Sequence, residues 1–293
     1  MSAGLAVVVA LGGSACAALA GTLQHRVAGR GRTAGASATG QIARFVRHQL
    51  SQRLWWITLG VQAVGLGLHG LALHLGALSL VQPVLALVVV MALPLNHRLN
   101  HTRISRAELL WATVLTVGLA AFLLIAIPRR APVGPIPTAR LVVPAGVGLL
   151  VLVLCIAVAS RAGSQLAAVA LGTGSGIAFG FEAAFLQATA DRLANQPAGL
   201  FGQATVYAWL ASGFVGVVLT QLAYRAGPIS AALPAVITVN PICSIVLGVV
   251  VGGDQLRQSP GAVVGEVVSF AVLAVAVGAL ARIAPLGDAG NGP

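Results

Sequence analysis

Residues 141–159 read LVVPAGVGLLVLVLCIAVA, nineteen positions without a charged side chain. At about 1.5 Å of rise per helical residue, that run is close to the roughly 30 Å thickness of a bilayer's hydrocarbon core. Comparable runs lie at 3–23, 54–74, 77–95, 107–127, 140–160, 166–190, 204–224, 229–251 and 261–283. A membrane β-strand needs only about ten alternating residues, so these lengths predict helices. Composition agrees. The 293 residues are 58% hydrophobic and 8% charged, whereas a soluble domain carries about 25% charged residues to face water. The expected fold class is all-α, a polytopic membrane protein of about nine transmembrane helices. The stretch 3–23 lacks the charged n-region and cleavage site of a signal peptide, so it is expected to remain as a span.

The three cysteines, Cys16, Cys155 and Cys243, each fall inside an apolar run. That excludes a disulfide framework, and no CxxC pair points to metal. All 17 basic residues are arginine, and their placement predicts orientation, because basic loops resist translocation. With the N-terminus outside, twelve arginines fall on the inner side and five on the outer. A bacterial inner membrane, with the C-terminus cytoplasmic, is the expected location. The segment 40–56, GQIARFVRHQLSQRLWW, sets Ile42, Phe45, Val46 and Leu50 on one helical face. It is expected to lie in the interface, with Arg44, Arg47 and Arg53 toward anionic headgroups. The net charge of +11 is thereby assigned to lipid, not to nucleic acid.

The chain also repeats itself. LALHLGALSLVQP at 71–83 is answered by LAYRAGPISAALP at 222–234, and VALGGS at 9–14 by VALGTGS at 169–175. RIS at 103–105 is answered by RQS at 257–259. Spans one to four thus pair with spans six to nine, and span five stands alone. A displacement of five spans is odd, so paired copies cross the membrane in opposite directions. The basic loop NHRLNHTRISR and its nearly neutral counterpart GGDQLRQSP differ as the positive-inside rule requires of inverted copies. The expected organisation is a first repeat over 1–127, a linker at 128–139, a second repeat over 140–285 and a tail at 286–293. Such symmetry marks secondary transporters, whose sites lie near the midplane between the halves.

These features resemble the drug/metabolite transporter superfamily, EamA-like in general plan. The likeness rests on LALHLGALSLVQP, GPISAALP and the four-plus-five arrangement. LWWITLG at 54–60 and the proline before Arg129–Arg130 resemble the branch that includes the NIPA magnesium transporters. The resemblance implies two inverted halves and transport by alternating access. In the loop after the third span, HTRIS stands where the family commonly has a glutamate, with Thr102 nearest its place. Asp254 stands near the equivalent position of the second half.

Charges inside a membrane are costly and functional by default, which singles out Glu182 in span six and Glu266 in span nine. Glu108, at the start of span four, is expected to reach the interface. Gly172, Gly176 and Gly180 repeat at four-residue spacing and suit close helix packing. Glu182 projects about 120° from that face, in the direction of Ser175, at roughly 100° per residue. Gln62, Gly65 and His69 form a polar and small stripe on span two. Gln82, Tyr207 and Asn240 are further candidates for substrate or interhelical contact. Pro83, Pro234 and Pro241 each remove an amide donor and clash with the carbonyl four residues earlier. They are expected to break helices and open carbonyls to a cavity. His97 and His101 share the i, i+4 spacing of a metal pair, but a metal site needs a third ligand and supporting groups; no metal site is assigned.

The chain has no GxxxxGK[ST] loop for nucleotide coupling. An enzyme would need catalytic groups gathered at one place, and the six acidic residues are scattered; an enzyme and a cofactor are not expected. The function read here is a secondary transporter of a small solute or cation. A magnesium or other divalent-cation transporter is the alternative, and a non-transporting scaffold is the competitor from another class. Expected partners are the solute and the bilayer, with a homodimer allowed.

Overall fold

The computed structural model describes residues 3–29, 53–100, 103–126, 128–129, 138–227, 229–257 and 259–283. Ten helices are described: α1 (Ala3–Gly29), α2 (Arg53–Leu75), α3 (Leu78–Leu85), α4 (Val88–Asn100) and α5 (Arg106–Ala126), then α6 (Thr138–Ala159), α7 (Ser164–Asn195), α8 (Ala204–Ala226), α9 (Ile229–Val250) and α10 (Pro260–Ile283). Among the described residues, nine segments are long and apolar enough to cross a membrane, with α3 and α4 together making the third. Apart from α3 and α4, the helix limits follow the apolar runs closely. Segment 40–52, with Arg44 and Arg47, lies outside the described residues, while Arg53 opens α2.

The exterior is apolar, as a lipid-facing surface must be. Leu124, Phe214 and Val143 are 76%, 70% and 68% exposed, and the window Val142–Ala159 of α6 has no buried residue. Span five therefore sits at the periphery, against α7. Because lipid tails are as apolar as leucine, close packing and hydrogen bonds must hold such helices together.

Small residues allow that closeness. α7 packs along α9 and α8, α1 along α2, and α5 along α10. A Cβ added at Gly176 would lie 2.8 Å from Val239 Cβ and 3.0 Å from the Val236 carbonyl oxygen; one at Gly180 would lie 2.6 Å from Cys243 Cβ. The glycine stripe of α7 is the contact surface for α9. On α2, a Cβ at Gly65 would come within 3.1 Å of Cys16 Cβ on α1. One core cluster gathers Ala6, Leu73, Leu78, Val81, Leu186 and Leu247, so segments from both ends of the chain meet there. A second joins α4, α5 and α10 around Leu115, Phe122 and Leu280.

Two sequence expectations are corrected. The third span does break, but at Ala86–Leu87, a turn beyond Pro83, where the amides of Ala86 and Leu87 bond three residues back to Pro83 and Val84. Pro234 and Pro241 break nothing: both lie within the continuous helix α9. Glu108, in the first turn of α5, is 4% exposed. Its carboxylate accepts the Ser105 amide and lies 2.9 Å from His97 Nε2. The Ser105 hydroxyl in turn accepts the Glu108 amide at 3.2 Å. This is a capping box, and its sequence mark, Ser-x-x-Glu at 105–108, stood in plain view.

Candidate functional site

Around the break in the third span lies a cavity of about 390 Å³, walled by α1, α2, α3, α4, α7 and α9. Its polar lining comes from Ser14, Gln62, His69, Gln82, Glu182 and Asn240. Phe179, Leu66, Val236 and Ile237 supply the apolar wall, and Leu85, Ala86 and Val88 bring the broken span to its edge. The volume falls within the usual 300–1,000 Å³ of small-molecule sites, and a mostly apolar wall with a few converging polar groups is their usual chemistry.

Each polar group has a local reason for its orientation. Gln82 Nε2 and His69 Nε2 are 3.2 Å apart, tying α3 to α2. The Trp209 indole N–H on α8 donates to Glu182 Oε1 at 2.7 Å, which holds the carboxylate by one oxygen. Gly213, across on α8, leaves room for the Glu182 stem: a Cβ there would meet Glu182 Cγ at 3.3 Å. Ser14 donates to the Ala10 carbonyl of its own helix. Asn240 Oδ1 lies 3.3 Å from Ser244 Oγ. Gln62, Glu182 and Asn240 all sit near the middles of their helices.

Not every sequence candidate comes to this place. Ser175 is fully buried between α7 and α8, donating to the Gly216 carbonyl at 2.8 Å with the Thr220 hydroxyl 2.6 Å away. It shares the α8-facing side of α7 with Glu182 but stands outside the cavity. Tyr207 is 58% exposed and donates to the Phe201 carbonyl. Glu266 lies on α10, away from the cavity, with one carboxylate oxygen buried and unpartnered among the described residues. Pro83 and Pro241, one from each proposed repeat, face a small apolar void beside the cavity, with Phe270 and Leu273; Pro234 is not there.

Three polar groups that hold the helices together were not singled out as site candidates. Gln187 donates to the carbonyls of Leu73 and Gly76, at 3.0 and 3.2 Å. His74 Nδ1 and Asp191 Oδ1 are 2.8 Å apart, between α2 and α7. Asp254, 5% exposed, accepts both the amide and the hydroxyl of Ser79, at 3.0 and 2.8 Å. The residue before α3, Ala77, makes no side-chain cap bond, so Asp254 caps that helix from 175 positions away. Gly253, at φ 70°, turns the chain in a left-handed conformation that favours glycine, and the Asp254 amide bonds back to Gly248. A hydrogen bond to a charged acceptor contributes about 1.5–3 kcal/mol.

Among the described residues no three His, Cys, Asp or Glu side chains gather to hold a metal. A divalent ion in the cavity would have Glu182 and the amide oxygens of Gln62, Gln82 and Asn240 to draw on, an oxygen set of the kind hard cations prefer.

If Pro83 helps to shape the edge of the cavity, Pro83→Ala should restore the amide bond to the Ser79 carbonyl within α3 and alter that edge. We expect the variant to insert and purify, with ligand affinity reduced about tenfold, a change of about 1.4 kcal/mol. Unchanged affinity would make the proline a packing residue.

Among the described residues, nine apolar helical segments long enough to cross a membrane define a polytopic α-helical membrane protein. The chain is 28% identical over 288 residues to an uncharacterized protein of Corynebacterium glutamicum, with 95% of each chain covered. No protein-family model and no solved structure matches it.

Proposed function

We propose that this protein is a secondary transporter of the bacterial inner membrane, built on the plan of the drug/metabolite superfamily and moving a small solute or cation by alternating access. The observation that carries the reading is the cavity near the helix middles, lined from both proposed repeats: Ser14, Gln62, His69 and Gln82 from one, Glu182 and Asn240 from the other. A scaffold has no need of a partly buried carboxylate lining a cavity at mid-helix, and a charge inside a membrane is expensive. Packing supports the inverted repeat as well. The first and second spans pair as α1 with α2, and the sixth and seventh as α7 with α8; the first lies on the third, and the sixth on the eighth. Lysine is absent from the chain, and among the described residues no arginine lines the cavity, which favours a cationic or neutral polar solute over an anion. Magnesium is the second reading, and the oxygen set around Glu182 is what favours it.

The test is a thermal-shift screen of the purified protein against metal cations, organic amines and neutral polar metabolites. A ligand at 100 times its dissociation constant stabilises the folded state by about 2.7 kcal/mol. Stabilisation by a member of one class, followed by its uptake or release in proteoliposomes, supports the reading. A hit that is never moved across the bilayer overturns it.

Orientation is tested separately. In intact cells an impermeant thiol reagent should label a cysteine introduced at Ala198 and spare those introduced at Ala36 and Ser105. Labelling at Ala36 from outside reverses the N-out assignment.

A further inference from the structure

The contacts that join the two proposed repeats are unevenly placed. Asp254 with Ser79, Gln187 with the Leu73 and Gly76 carbonyls, and His74 with Asp191 all lie at one end of the bundle. That end holds the C-termini of α2, α7 and α9 and the N-terminus of α3. Two backbone contacts join them: Arg129 and Gln255 exchange amide bonds at 3.0 and 2.8 Å, and the Arg257 amide donates to the Ala126 carbonyl. At the other end, His97, Ser105 and Glu108 of the first repeat bond to one another. The cavity lies between these ends.

We propose that the Asp254–Ser79 contact is the latch of a gate that closes the cavity at the end carrying Ala198, the outer end in the N-out orientation. The inference rests on the alternating-access reading. In that scheme the halves must part at one end at a time, and the bonds to be broken are those that cross between them. Asp254 is the strongest of these. One charged oxygen takes both donors of Ser79, and it sits at the N-terminus of α3, where the helix dipole favours negative charge. α3 is also the segment that ends at the cavity's edge, where the third span breaks. Releasing its N-terminus frees an eight-residue helix to tilt about the Ala86–Leu87 turn. Gln187 holds the turn just before α3 in place, so it assists the same closure. The repeat register strengthens the assignment. Ser230 answers Ser79, but the loop answering Asp254 reads His101-Thr102-Arg103, which offers no carboxylate for an equivalent latch.

The test uses the full chain with Cys16, Cys155 and Cys243 replaced by alanine and a reporter cysteine in the cavity, Asn240→Cys. An impermeant methanethiosulfonate is applied from the Ala198 side and, in inverted vesicles, from the opposite side. With Asp254 present, labelling should be fast from the opposite side and slow from the Ala198 side. Asp254→Ala should raise the rate from the Ala198 side at least tenfold and lower the opposite rate. Ser79→Ala, which keeps the amide bond, should give a smaller shift in the same direction. It serves as the reading if Asp254→Ala does not fold. A reporter labelled from the opposite side whose rates ignore both substitutions overturns the latch and leaves the transport reading standing. A reporter unlabelled from either side in every variant shows that water does not reach the cavity, and removes both.

Discussion

Glu182→Gln is expected to abolish the response to a cationic ligand while leaving the protein folded. A carboxylate at the bilayer centre costs about 2.5–3.5 kcal/mol on insertion scales. Its persistence therefore needs a compensating proton, cation or donor. The structure supplies one donor, the Trp209 indole at 2.7 Å, and places Glu182 in the lining of the cavity. Glutamine keeps the shape and can still accept the indole hydrogen through its amide oxygen, so the helix packing of α7 and α8 is retained. What it loses is the charge. A bond between a charged group and its partner contributes about 1.5–3 kcal/mol, so affinity for a cationic ligand should fall about 10- to 150-fold. The pH dependence of binding should weaken with it. His69, which also lines the cavity, is the other titratable group there, and His69→Gln should leave the carboxylate's share of that dependence in place. The measurement is ligand titration by calorimetry or thermal shift between pH 5 and pH 8. Wild-type affinity and an unchanged pH profile in Glu182→Gln would make this residue structural and remove the best reason for calling the solute a cation.

How far such a site can be read from sequence depends on what helical periodicity records. The lengths of the apolar runs located every span, because length is the quantity a bilayer imposes. The stripe of Gln62, Gly65 and His69, and the angle between Glu182 and the glycine stripe of α7, were legible because polar and small residues mark a direction on a helix. Most of α6 carries no such mark, and nothing in its residues told that it would lie at the periphery. Ser175 and Glu182 share one side of α7, but a direction does not say what stands opposite. Ser175 meets the Gly216 carbonyl, and Glu182 meets Trp209 beside a space. The prolines show the same limit. Pro83, Pro234 and Pro241 each remove one amide donor yet lie within a helix, and the third span breaks a turn beyond the first of them. Asp254 capping α3 joins residues 175 apart, a pairing that no local pattern encodes. The capping box at Ser105–Glu108 is a local pattern, and it was readable.

Gly176→Leu should damage the fold severely. In lipid, association depends on how closely two backbones approach, and α7 meets α9 along Gly172, Gly176 and Gly180. A Cβ at Gly176 would already lie 2.8 Å from Val239 Cβ and 3.0 Å from both the Asn240 nitrogen and the Val236 carbonyl oxygen. Two of those three atoms belong to the backbone and cannot rotate aside, so α7 and α9 must separate. Overpacking a well-packed contact costs about 1–3 kcal/mol, occasionally more, and a full leucine side chain should reach at least the upper figure. Gly60→Leu is the control. It lies on the exposed face of α2 with nothing within 4 Å of an added Cβ, so its effect should stay within about 0.5 kcal/mol. Both can be measured as shifts in the denaturation midpoint of purified protein. The damage should also reach the site, because Val236 and Asn240 belong at once to the contact and to the cavity wall. Gly176→Leu should therefore lose ligand response even under conditions where it remains folded. A Gly176→Leu protein as stable as the Gly60→Leu control would mean that α7 and α9 are not packed backbone to backbone, and the cavity wall described between them would go with that contact.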